Sequence, residues 1–313
     1  MDALSRLVEL LGLRARLDLR CQFPAGFDVD HEPAPPGELL FHLVLAGQCR
    51  LQVPGQPELL LQAGDFVAFP RRLAHRVQTL TPPVSGSEPE LLWDASGALP
   101  LRRGRDAAEA ELDLLCGRLL SASALVDLLF TAVPGALRVS LAASAAPPRL
   151  QALAGLIRDE VAADLPGGLA IVASLANALF ALALRVHAEG GMAAPGLLRL
   201  LTDARLARAA LAVLREPGRD WSAEALAGEA TMSRASFMRH FAEAARMTPG
   251  DFVALVRLSR ASVLLRQTRR STADIGEEVG YLSEAAFNRA FKKWVGETPA
   301  VFRRGGLPRL QAG

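Results

Sequence analysis

Cys21, His42 and His75 carry the side chains in this sequence best suited to bind a metal or to sense an oxidant. Leu17, Leu19, Cys21 and Phe23 alternate with Asp18, Arg20 and Gln22, His42 sits in the apolar run Phe41–Ala46, and His75 follows the run Phe66–Phe69 across a turn. Alternate residues of a strand share one face, so the three lie at inward parity on three candidate strands. A thiolate and two imidazoles can hold Zn²⁺, with His31 or a water as fourth donor. Three other uses stay open. Cys21 fits as a small buried hydrophobe beside hydrogen-bonded barrel histidines, or as part of an organic-ligand lining. It also fits as a redox sensor, because a thiol beside an imidazolium is readily oxidised, with Cys49 as its partner. Cys116 is expected on a helical segment, packed in a core.

The second chemistry is base and phosphate recognition, and it is written twice. Ser233, Phe237, Arg239, Phe241, Thr248, Pro249 and Phe252 recur fifty residues on as Ser283, Phe287, Arg289, Phe291, Thr298, Pro299 and Phe302. Each copy reads as a short helix, a turn and a second helix opened by a serine N-cap. The phenylalanines are i, i+4 pairs, so each second helix buries one stripe. Its other face offers Arg234, Ala235, Met238 and Arg239 in one copy, and Glu284, Ala285, Asn288 and Arg289 in the other. Asparagine suits adenine, arginine suits guanine and glutamate accepts from cytosine in a major groove. Arg257 and Lys292 are expected at phosphates, which position without specifying. Thr248-Pro249 opens a helix predicted to run to about Gln267, roughly 27 Å long, against about 34 Å between successive major grooves on one side of B-DNA.

Residues 217–304 resemble the double helix-turn-helix domain of the AraC/XylS transcriptional regulators. The resemblance rests on Ile275-Gly276, Val279-Gly280-Tyr281, Ser283, Phe287, Arg289, Phe291-Lys292, Gly296, Thr298-Pro299 and Phe302-Arg303. Gly276 departs from it, since the family usually has Ala there, at roughly 1 kcal/mol of helix propensity. It implies a sequence-specific regulator, an activator of transcription, that binds double-stranded promoter DNA as a homodimer and contacts RNA polymerase. Gly64–Pro70 with His75, and Phe41–Gly47, resemble the two motifs of the cupin superfamily, which implies a jelly-roll barrel holding a metal or small ligand. The paired His-x-His of the first motif is missing, and Arg72 stands where Gly is usual. The alternative to a regulator, a cupin metalloenzyme with an appended DNA-binding module, lacks that metal set, so the chain is read as no enzyme. Its effector is an unknown small molecule, metal or oxidant.

The elements that must position these groups follow from pattern. In 313 residues half are hydrophobic and few aromatic, so the cores are built of Leu, Ala and Val. Residues 217–313 carry 15 Arg/Lys against 10 Asp/Glu and residues 1–216 carry 20 against 23. That is a basic, phosphate-facing half joined to an acidic one. Three cysteines are too few, and odd in number, for a disulfide framework. The acidic-amphipathic start is no signal peptide, and no run of about 18 uncharged apolar residues appears; a cytoplasmic protein without membrane contact is expected. The predicted fold is α+β and multidomain. A cupin-like β-barrel (jelly roll) spans 1–105 after an opening helix, Leu4–Leu11. A helical dimerisation module follows over 106–190, with helices at Glu109–Leu120, Ser123–Phe130, Pro148–Ala163 and Leu169–His187. A linker and a first helix (Leu197–Arg215) occupy 191–216, the all-α double helix-turn-helix 217–304, and a tail 305–313.

Overall fold

The computed structural model describes residues 2–81, 91–94, 97–104, 110–121, 123, 126, 130, 135–141, 148–189, 196, 199–200 and 203–305. The strands and the two helices after them form one compact unit; the N-terminal helix and the chain from His187 onward form another.

In the first unit β1 (Arg14–Pro24), β2 (Asp28–His31), β3 (Glu38–Gln52), β4 (Leu59–Gln62), β5 (Asp65–Ala68), β6 (His75–Thr79), β7 (Leu91–Asp94), β8 (Leu101–Gly104), β9 (Ala110–Leu120) and β10 (Leu137–Ser140) make one sheet. Its main path is β10-β5-β3-β9-β1-β8-β7. The strand β3 is the hub: its first half pairs with β9 and β5, its second with β4 and β6. The two strands expected around Phe41–Ala46 and Cys49–Val53 are therefore one. A bulge between Val44 and Ala46, with Gly47 at φ +80, bends it rather than breaking it. A β-carbon on Gly47 would overlap the Glu111 carbonyl, so the bend needs glycine. The sheet curls into a half-barrel and is not the closed jelly roll expected; β7 and β10 end the path unpaired with each other among the described residues.

The helix expected over Glu109–Leu120 is also corrected, because Ala110–Leu120 forms β9, hydrogen-bonded to β1 on one side and β3 on the other. A strand buried on both faces carries leucines at every spacing, so its period mimics a helix. Inward-facing Leu112, Leu114 and Cys116 join Cys21, Cys49, Val44, Val67 and Phe69 in one core, which puts all three cysteines together. The helix α2 spans Pro148–Ala163, as expected, and α3 spans Gly168–Glu189. Within α3, Gly168–Ala188 is long and apolar enough by composition to cross a membrane. Here it buries Val172, Ala176, Leu179, Phe180 and Leu184, and Asn177 Oδ1 accepts the Ala15 amide of β1 at 3.0 Å.

In the second unit α1 (Ala3–Leu11) buries Leu7 and Leu11 and packs on α4 (Leu206–Arg215) and α7 (Pro249–Gln267). The single helix expected over Leu197–Arg215 is interrupted. The Asp203 carboxylate accepts the amides of Arg205 and Leu206 and so starts a new helix. Two three-helix units follow: α5 (Ala223–Glu229), α6 (Arg234–Ala245) and the start of α7, then α8 (Thr272–Glu278), α9 (Glu284–Val295) and α10 (Pro299–Gly305). Ser222, Ser233, Thr248, Ser271 and Ser283 each accept the amide three residues on, each cap contributing about 1 kcal/mol. Phe237, Phe241 and Phe252 meet at 5.4 to 5.6 Å between ring centres, and Phe287, Phe291 and Phe302 at 5.6 and 5.5 Å. The duplicated pattern is thus a duplicated aromatic core. Gly280 has the expected positive φ, +91. The helix expected over Ser123–Phe130, the linker 190–196 and the tail 305–313 lie mostly outside the described residues.

Candidate sensor site and nucleic-acid interface

The sheet register brings three histidines to one place. His31 and His75 lie directly opposite on β2 and β6, and His42 comes from β3. One ring nitrogen from each lies within 4.8 Å of the other two. His42 Nε2 and His75 Nε2 are 2.7 Å apart. Phe69 stacks on His75 at 3.7 Å, and His31 stacks on it at 4.7 Å, so the rings are held by packing. Burial holds the imidazoles neutral: it takes His31 down to about 4 and His75 down to about 3, and His42 well below its usual range, with the neighbouring histidines adding to the effect for His42 and His75.

Three neutral imidazoles are a metal-ligand set, and the hydrogen bonds leave His75 Nε2 its lone pair and put the His42 proton on the nitrogen that faces it. His75 Nδ1 donates to the Leu73 carbonyl at 3.2 Å, so its Nε2 is the acceptor. His42 Nε2 then donates to it, and His42 Nδ1 accepts from Cys116 Sγ at 3.2 Å. His31 Nε2 is buried without a partner. Nitrogens sharing one tetrahedral Zn²⁺ lie about 3.3 Å apart, from bonds of about 2.0–2.1 Å. The two Nε2 atoms need open by only about half an ångström, so the residues fit the ion. A cavity of about 580 Å³ borders His31 and His75, and Asp30, Glu32, Glu58 and Arg76 line it as well. Arg76 is already held by Asp30 through bonds of 2.7 and 2.8 Å, which leaves a mouth favouring cations.

Cys21 is buried as expected but lies outside the triad. Its partner is Cys116: the Cys116 thiol is raised well above its usual range by its hydrogen bond with Cys21 and then by burial. Sequence reasoning placed Cys116 elsewhere; the alternation Leu112, Leu114, Cys116 against Glu111 and Asp113 was the signal that could have found it. Cys49 is pushed up to about 12 by burial, so it is a poor thiolate. At Arg72 φ is +52, which explains the glycine of the motif; its Nη1 donates to the Ala34 carbonyl.

On the second unit Arg234, Ala235, Met238 and Arg239 are exposed on α6; Glu284, Ala285, Arg289 and Lys292 are exposed on α9, with Asn288 half-buried beside them. Arg234 pairs with Glu224 at 3.1 Å, and Glu284 accepts from Thr272 at 2.7 Å. Arg257 is the exception. It donates through Nε to the Pro217 carbonyl at 2.8 Å and through an Nη to that of Arg219 at 2.9 Å, and its guanidinium lies 5.7 Å from the Tyr281 ring centre. Its Nε and one Nη thus face protein carbonyls.

Residues 2–189 match a cupin family model and residues 226–305 a helix-turn-helix domain model. An uncharacterized HTH-type transcriptional regulator of Haemophilus influenzae is 32% identical over 308 residues, 97% of this chain and 99% of that one. The regulator MtrA of Neisseria gonorrhoeae is 28% identical, covering 98% and 99%. The RCS-specific transcriptional activator RclR of Escherichia coli is 26% identical, covering 97% of each. Among solved structures, an AraC-type DNA-binding domain protein from Chromobacterium violaceum matches 35% of this chain and 95% of its own, at 27% identity and a TM-score of 0.32. These relatives are regulators by name and not enzymes. The family models and the full-length relatives, with two helix-turn-helix units following a histidine-bearing half-barrel in the sequence, show that the chain belongs to the AraC/XylS-type transcriptional regulators that carry an N-terminal cupin domain.

Proposed function

We propose that this DNA-binding regulator is a cytoplasmic, homodimeric activator that takes its signal as a divalent metal at His31, His42 and His75. The observation that carries the reading is the closeness of three neutral imidazole nitrogens, all within 4.8 Å, behind an acidic mouth. When bound, the ion would supply a fixed charge and pull β2, β3 and β6 onto one point. The imidazoles are already neutral, so none releases a net proton, and Cys116 holds His42 from behind through Nδ1. Base reading is assigned to Arg234, Ala235, Met238 and Arg239 on α6 and to Glu284, Ala285, Asn288 and Arg289 on α9, with Lys292 at a phosphate. The dimer face is assigned to α3, whose Leu169, Ile171 and Val186 are exposed; RNA polymerase is the further partner of an activator. The test is metal analysis of the purified chain, with selection of duplexes from random DNA with and without chelator. A metal-free chain whose DNA selection ignores added Zn²⁺ would overturn it.

A second reading has one observation of its own. Cys116 touches both His42 and Cys21, so an oxidant acting on that thiol pair would disturb the same histidine. RclR, named as RCS-specific, favours it. Mass shifts at Cys21 and Cys116 after oxidant, in chelated protein that still switches DNA affinity, would support this reading over the metal.

A further inference from the structure

The two reading helices, α6 and α9, each pack against α7. Their relative placement therefore depends on how firmly each half is held to that helix. A second link lies at the loop entering α5. The backbone of Pro217–Arg219 abuts the turn after α8: a β-carbon on Gly218 would overlap the Glu278 carbonyl, and one on Gly280 would lie 2.7 Å from the Gly218 carbonyl. Both positions need glycine because two backbones meet there. Arg257 lies across the junction from α7, and the same imagined β-carbon on Gly280 would be 2.7 Å from its Nη2. Its two donor directions serve Pro217 and Arg219 in the first half, and its face lies by Tyr281 of the second. Arg219 is itself steadied, its guanidinium 4.5 Å from the Trp221 ring centre and 3.6 Å from Glu229.

We propose that Arg257 is a positioning residue that clasps the two helix-turn-helix units at one separation, and so sets the spacing of the two DNA half-sites this chain accepts. The inference rests on the reading that α6 and α9 both enter major grooves. Only a planar guanidinium can donate along two directions to two carbonyls while one face lies on a ring; a lysine ammonium keeps the charge and loses that geometry. The role differs from a phosphate contact in what it predicts. A lost phosphate contact weakens every site alike, lowers the salt slope by about one, and is restored by lysine.

The experiment uses the full chain. Duplexes are selected from random DNA by the wild type, then tested intact, with either half scrambled, and with base pairs inserted between the halves. Arg257→Ala and Arg257→Lys are both expected to bind the intact site about tenfold or more weaker. They should match wild type on each scrambled site and tolerate insertions that wild type rejects, with an unchanged salt slope. Because the alanine variant could lose the fold, thermal unfolding is followed alongside. Spin-label distances between positions 235 and 285 give a second measure: narrow in wild type, broadened in the lysine variant. Restoration by lysine, equal loss on intact and scrambled sites, or an unbroadened distance overturns the proposal. If wild-type protein selects no duplex, or selects one in which only one half matters, the underlying reading has failed instead.

Discussion

His42 Nδ1 lies 3.2 Å from Cys116 Sγ, while its Nε2 faces His75 at 2.7 Å. One ring thus joins the histidine cluster to the thiol pair, and its two nitrogens hold opposite roles. Without metal, the fixed tautomer of His75 makes Nε2 of His42 the donor. A metal at His42 Nε2 needs that lone pair, so the proton must move to Nδ1 and the bond to Cys116 must reverse. Nitrogen-15 NMR of the imidazoles checks this. His42 is expected as the Nε2–H tautomer in chelated protein and as Nδ1–H with stoichiometric Zn²⁺; one tautomer in both states would refute it.

Metal content should separate the histidines from Cys21. His75→Ala and His31→Ala are expected to lower Zn²⁺ affinity by tenfold or more, since each removes a ligand, whereas Cys21→Ser should leave it within a few-fold. Competition with a chromophoric chelator measures all three. Equal losses in the three would return Cys21 to the ligand set.

Acid should destabilise the chelated β unit. Folding lowers His31 to about 4 and His75 to about 3, against an ordinary value of about 6.5. Between those values the unfolded chain binds more protons than the folded one, so stability falls as pH drops below about 6.5 and levels off once the folded-state groups also protonate. Above about 7 these groups contribute no slope. Urea unfolding followed from pH 7.5 to 4.5 is the measurement, and replacing both histidines with glutamine should make the profile shallower, leaving the share of buried His42.

Arg239→Ala is expected to weaken specific binding by roughly 1–3 kcal/mol. Asn288→Ala should relax preference at one base more than it lowers affinity. Gel-shift titration against selected and single-base-changed duplexes distinguishes these; unchanged affinity in Arg239→Ala would remove it from the interface.

Two glycines should respond in opposite ways to alanine. Gly228 in α5 has nothing within 4 Å of an added β-carbon, so Gly228→Ala should stabilise by about 0.5–1 kcal/mol. At Gly276 the added carbon would meet the Phe287 ring at 3.0–3.1 Å. Crowding a packed core costs about 1–3 kcal/mol, enough to cancel or exceed the gain in helix propensity. Thermal unfolding should rank Gly228→Ala above wild type and Gly276→Ala at or below it.

The sequence alone determined the features whose information is local. The repeated Ser, Phe and Thr-Pro positions specify caps and buried stripes within one or two turns, so both helix-turn-helix units and α7 were legible residue by residue. His42 and His75 were legible through strand parity. Only the tertiary structure decided what depends on pairing between distant segments. Ala110–Leu120 is a strand because β1 and β3 flank it, which brings Cys116 beneath His42. His31 rather than Cys21 completes the cluster because β2 pairs in register with β6. Arg257 turns inward because the loop at Pro217–Arg219 presents two carbonyls that no spacing in the sequence reveals. Register and approach are properties of two chain segments at once, and a pattern along either one does not contain them.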